Sequence, residues 1–251
     1  MTLCGDAFAP ITSAIGFLRT PFNDAVDALE CWRAGIYGSA VVRSLDGGLV
    51  RNVGTLEPLT VGVRPRELLV ATRNPEWTAV FDCGRDGGDP ISTVGYLAEE
   101  MLVNAVVICS IPPASGSGDS PGRFGALQLE LFGPLKTDFM NYVRTISLTQ
   151  QAGSRWRFDA NGTVQPFENT EAYKRRKMTD KFTLEMLVHY ARELGLDPFD
   201  SDFYPGPSAL VTHPVTSLPA CPPMSLADAQ QRLGIEPTPE KPGPYPRGPR
   251  P

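Results

Sequence analysis

The sequence predicts an α+β domain, a mainly antiparallel sheet packed with amphipathic helices. Two observations carry this. Short runs rich in β-branched and aliphatic residues are punctuated by Gly, Pro and Asn-Pro breakers, and three segments place apolar residues at helical spacing. Strand runs and helices joined by short turns are the pattern of a sheet with helices laid against it.

The elements follow in chain order. Thr20-Pro21 opens a helix whose Phe22, Ala25, Val26, Leu29 and Trp32 share a face, with Gly35 as its expected stop. Ala40–Val42, Leu59–Val61, Leu68–Val70 and Trp77–Phe81 read as strands of a meander. The glycine-rich turn from Gly84 leads to a helix start at Asp89-Pro90, and Ile91, Val94, Leu97 and Met101 give that helix one apolar face. Asn104–Ile111 is apolar on both faces, as a central strand must be. Pro112–Gly122 reads as a flexible surface loop. Leu127, Leu129 and Leu131 then alternate with Gln128 and Glu130, and Tyr142–Leu148 forms another strand. Trp156 and Phe158 alternate with Arg155 and Arg157 ahead of Asn161-Gly162. That pair suits a type I′ turn and predicts a hairpin returning through Val164. Leu184, Leu187, Val188, Ala191 and Leu194 mark a helix closed by Gly195.

After Tyr204 the composition shifts, with 13 of the 25 prolines in the last 47 residues. The expected organisation is a globular body at 1–204 and a Pro-rich extension at 205–251. The extension would hold one short helix at Ser225–Leu233 and end disordered.

Charge and cysteine usage exclude several classes. Lys+Arg 23 against Asp+Glu 28 gives a net charge of −5, whereas domains built to neutralise phosphates are usually basic. No apolar run approaches the ~18 residues that cross a bilayer. The apolar Ala7–Leu18 run lacks a basic residue before Arg19 and is broken by Pro10, so it does not read as a signal peptide. Five scattered cysteines without a C-x-x-C fit neither a disulfide framework nor a structural zinc site. The expectation is a cytoplasmic protein with reduced thiols, no membrane contact and no cofactor.

Chemistry-bearing groups are few. Cys109 ends an apolar strand before a loop, and Cys83 precedes a glycine-rich turn and a helix start. Either would need His189 as a base to act as a nucleophile. Glu185, His189 and Glu193 fall four residues apart on one helix face, a stripe that could meet a divalent metal but is more often solvated. The Gly84–Asp89 turn could cradle an anion, yet its aspartates oppose phosphate. Asp197, Asp200 and Asp202 read as a capped acidic turn. Lys174, Arg175, Arg176 and Lys177 form the single basic run, and with Arg155 and Arg157 they could make a patch for nucleic acid or an acidic partner. One short run in an acidic protein argues against nucleic acid.

If helices bury the leucine face of the strand at Leu127–Leu131, its other face shows Gln128, Glu130, Arg155 and Arg157. A mixed-charge sheet face suits docking to a protein. The expected function is therefore a non-enzymatic interaction module, inhibitor-, immunity- or adaptor-like, with those four residues and 174–177 as binding candidates. The alternative is a Cys-dependent or metal-assisted hydrolase or transferase. Oligomeric state is not legible in the sequence.

Overall fold

A computed structural model describes residues 2–116, 122–151, 155–215 and 221–236. Among these residues, five α-helices and a nine-stranded antiparallel sheet make a mixed α+β fold. The strands are β1 (Ala14–Leu18), β2 (Val41–Leu45), β3 (Arg66–Ala71), β4 (Thr78–Asp82), β5 (Ala105–Ile111), β6 (Ala126–Phe132), β7 (Tyr142–Gln151), β8 (Arg155–Gly162) and β9 (Ser208–Thr212). They lie in the order β2-β9-β3-β4-β1-β5-β6-β7-β8. The helices are α1 (Phe22–Tyr37), α2 (Leu49–Asn52), α3 (Ile91–Glu100), α4 (Leu184–Glu193) and α5 (Leu226–Leu233).

Strand alternation splits the core in two. One face carries Ile15, Phe17, Leu68, Phe81, Ile108, Leu129, Ile146 and Leu148, covered by Leu187, Tyr190 and Ala191 of α4, by Ala229 of α5 and by the N-terminal turns. We call it the leucine face. The other carries Leu18, Leu69, Val80, Ala105, Val107, Ala209 and Val211 under Ala25, Val26 and Leu29 of α1 and Val94, Leu97 and Ala98 of α3. α3 sits close because β1 offers Gly16. A Cβ there would meet Val94 Cγ2 at 2.4 Å and Pro90 Cβ at 3.0 Å. Gly16→Ala is accordingly expected to cost about 1–3 kcal/mol in urea unfolding through overpacking. An unchanged midpoint would contradict this approach distance.

Several expectations are corrected. The first helix runs past Gly35 and stops at Gly38, which adopts φ +81 and donates its N–H to the Ala34 carbonyl at 2.9 Å. Leu59 and Thr60 form only isolated bridges, to Met224 and Gly84. The meander is interrupted, because β9 inserts between β2 and β3. The body therefore does not end at 204. Ala209, Leu210 and Val211 are buried in the sheet, and His213 stacks on Tyr37 with ring centroids 3.7 Å apart. Three consecutive apolar residues suffice for a strand when neighbours on both sides supply the hydrogen bonds, whatever the proline content around them. Ser225 does cap a helix, its Oγ accepting the Asp228 N–H at 3.1 Å. The end of the Pro-rich segment and part of the 112–122 loop lie outside the described residues.

The Asn-Gly hairpin is also not formed. β8 extends through Asn161 and Gly162, pairing with β7 from Arg144↔Gly162 to Gln151↔Arg155. Gly162 does take the positive φ that its sequence signalled, +88. The reason is crowding, since a Cβ there would lie 2.3 Å from the Val143 carbonyl oxygen. Among the described residues no helix is long and apolar enough to cross a membrane.

Candidate functional site

The two helices of the second face, α1 and α3, cover the sheet only as far as β6. Beyond them Thr145, Ser147 and Thr149 of β7 alternate with buried Arg144, Ile146 and Leu148, and remain half-buried. Register lines up Gln128, Ser147 and Asp159 across β6, β7 and β8, likewise Glu130, Thr145 and Asn161, and sets Thr149 beside Arg157. Gln128, Glu130, Arg155 and Arg157 thus share one face, the one opposite the leucines.

This face is concave. Gln128, Glu130, Tyr142, Thr145, Ser147 and Asn161 line a cleft of about 810 Å³, walled by Thr137–Phe139 of the β6–β7 connection. Asn141 anchors that connection with its buried side chain, donating to the carbonyls of Gly95 and Gly133, both at 2.9 Å. A register shift between Leu131 and Phe132 brings Tyr142 opposite Phe132, onto the face of Glu130. Re-aiming one side chain is a typical effect of a β-bulge. Tyr142 packs on Phe132 at 4.5 Å and on Phe139 at 5.6 Å. Its hydroxyl donates to Glu130 Oε2 at 3.4 Å.

Burial pushes the Glu130 carboxyl up to about 7. The Tyr142 hydroxyl opposes that shift, and the charge of Asp89 adds to it. Burial beside this carboxylate also raises the Tyr142 phenol. The floor of the cleft is rigid from below: Arg144 is buried on the leucine face and grips Glu168 with two hydrogen bonds, 2.9 and 2.7 Å, while Tyr173 donates to the same carboxylate at 3.0 Å. The cleft rim is apolar. Leu135, Phe139 and Met140 are exposed at 71%, 69% and 51%.

The remaining candidates are dispersed. Cys109 lies buried on the second face, and burial pushes its thiol up to about 12. Cys83 is buried with the leucine-face core, 3.4 Å from Thr60 Oγ1, and burial raises its thiol too. His189 stands on the exposed side of α4, 3.9 Å from Glu193. The sheet separates Cys109 from α4, so no thiol–imidazole pair forms. Both thiols are held protonated, opposite to what a nucleophile needs. Glu185, His189 and Glu193 occupy a solvated stripe. Among the described residues no group of three or more His, Cys, Asp or Glu is arranged to hold a metal.

The basic run is separate from the cleft. It follows Tyr173, which packs on Phe158 at 5.0 Å on the leucine face. Within it, Lys174 pairs with Glu171 at 2.7 Å and Lys177 with Asp180 at 3.3 Å. Arg155 and Arg157 take the other face of the sheet from Phe158. The Gly84–Asp89 turn already holds an anion of the chain itself. Asp82 accepts the N–H groups of Gly84 and Asp89, both at 2.8 Å, and pairs with Arg64 at 3.3 Å. Asp200 caps the N–H of Asp202 at 3.0 Å, as a solvated acidic turn would.

Sequence reasoning found Gln128 and Glu130 but missed Tyr142, Thr145, Ser147, Asn161 and the loop at 135–140. The alternation Thr145, Ser147, Thr149 against Ile146 and Leu148 was the available signal. No protein-family model matches this sequence, and neither a curated protein nor a solved structure matches it.

Proposed function

We propose that this chain is a non-enzymatic interaction module that binds a protein partner on the uncovered face of β6, β7 and β8. The observation that carries the reading is a polar, concave sheet face with an apolar rim. Three large side chains on one anchored loop face water beside small hydroxyl and amide groups that adapt to varied hydrogen-bond partners. Exposed aromatic and aliphatic anchors beside polar groups are the make-up of a protein interface centre. Phe139 lines the cleft, whereas the exposed Leu135 and Met140 of the same connection do not, and a cleft for a small molecule has no need of such apolar side chains beside it. The mixed charges of Arg155, Arg157 and Asp159 extend the face at its edge and suit recognition by complementary charge.

The test is a tagged pull-down from native cell lysate with mass spectrometry, repeated with Ser147→Arg and Phe139→Asp. Both positions line the cleft and neither is in the core. A stoichiometric protein retained by the native chain and lost with each variant supports the reading. A partner retained equally by both variants removes this face from the account.

A further inference from the structure

Like any open sheet, this one ends on two edges, β2 and β8. An unpaired edge presents a row of backbone donors and acceptors that can template another strand. Among the described residues the β8 backbone pairs with β7 alone. Nor is the strand buried: Arg155, Arg157 and Asn161 are exposed and Asp159 and Ala160 half-buried.

We propose that β8 docks against β8 of a second copy of this chain, antiparallel about a two-fold axis at Phe158. The argument is self-complementarity. A two-fold axis normal to the sheet keeps the faces of both copies aligned and sets each residue opposite one equally far beyond Phe158. Arg157 then faces Asp159 of the second copy, and Asp159 faces its Arg157, giving two ion pairs on the polar face. Arg155 faces Asn161. On the leucine face Trp156 lies against Ala160, large against small, and Phe158 against Phe158.

Neighbouring registers match less well. Centring the pair on Arg157 sets Arg155 against Asp159 twice but opposes Arg157 to itself, and centring it on Asp159 opposes Asp159 to itself; only the Phe158 register forms two ion pairs with no like charges directly opposed. The other edge has no equivalent, because β2 carries a single charged side chain, Arg43, and no self-pairing of β2 forms an ion pair. Within one copy Arg157 Nε already lies 2.6 Å from Asp159 Oδ2. Both charges are therefore held on the face where the second copy would meet them. The assembly would place the two clefts on the same side of one continuous sheet, so a partner could span both.

The experiment is light scattering of the full chain across a concentration series. The native chain is expected to approach twice its 27.2 kDa mass. Arg157→Asp and Asp159→Arg should each weaken association on the order of tenfold or more, since each turns two attractions into two repulsions. An equimolar mixture of the two variants should dimerise again, because each then supplies the charge the other lacks; their internal repulsions are unchanged by mixing. A native chain that stays monomeric at every concentration, or a mixture that stays monomeric, overturns the proposal. If a reversal fails to fold, Arg157→Cys/Asp159→Cys in a Cys31→Ser background replaces it. Mild oxidation should then link 157 to 159 between copies, and absence of that link overturns the register. Neither outcome bears on partner binding by Ser147→Arg or Phe139→Asp.

Discussion

Replacing Arg33 by methionine is expected to destabilise the fold by about 3–5 kcal/mol, the usual cost of leaving one member of a buried ion pair alone. Arg33 on α1 is 8% exposed and Glu67 on β3 is 1% exposed. Two hydrogen bonds of 2.6 Å join them, and Thr93 on α3 completes the triad, accepting from Arg33 at 2.9 Å and donating to Glu67 at 2.7 Å. Three elements are thereby fixed through one carboxylate. Without the guanidinium, Glu67 would sit uncompensated beside its cross-strand neighbour Asp82. Arg33→Met/Glu67→Leu should recover most of the loss, because removing both charges also removes the desolvation penalty. Urea unfolding of the single and double variants checks this. A double variant as unstable as the single would show that the pair is not what links α1 to the sheet.

Glu130→Gln is expected to stabilise the protein at pH 8. The sign follows from proton linkage. Glu130 titrates near 7 in the folded chain, against 4.5 ordinarily. Between those values the folded state holds a proton that the unfolded chain has released, so stability falls as pH rises through 4.5–7. Above pH 7 the full penalty stands. The shift corresponds to about 3 kcal/mol at most, reduced because the cleft admits water, so a gain of about 1–3 kcal/mol is expected from glutamine. The glutamine carbonyl can still accept from Tyr142. Near pH 4.5 the variant and the native chain should be equally stable. Burial lifts Asp82 to about 6 as well, against its pairing with Arg64, and this adds a second decline between pH 3.8 and 6. Maximum stability should therefore lie in mild acid. Thermal unfolding at pH 5 and pH 8 decides the matter, and a Glu130→Gln chain no more stable than native at pH 8 would contradict it. Stability surrendered at a half-buried carboxylate is the trade expected where a surface serves binding.

Local periodicity made part of this readable. Leu127, Leu129 and Leu131 against Gln128 and Glu130 located the strand and both its faces, because alternation is a direct image of which side meets the core. Ser225 marked a helix start by the same local logic, accepting a backbone N–H at the first turn, and in the structure Thr183 caps α4 in the same way. What escaped was set by distant pairing. β9 is three buried apolar residues among prolines, and only its placement between β2 and β3 makes it a strand. Gly162 announced a positive φ but not its cause, the passage of Val143. Tyr142 reached the cleft through a bulge that depends on β6. Glu67 and Asp82, two of the most consequential charges in the molecule, carry no local signal of their pairing; only register places them side by side under α1 and α3.

The most direct test of the proposed interface is amide hydrogen exchange on the chain alone and in complex with the partner it captures. Slowed exchange confined to residues 126–151 and 155–162 is the expected result, strongest in the 133–141 connection. Protection on α4, at residues 174–177 or over β2 and α1, with the β6–β8 face unchanged, would contradict it.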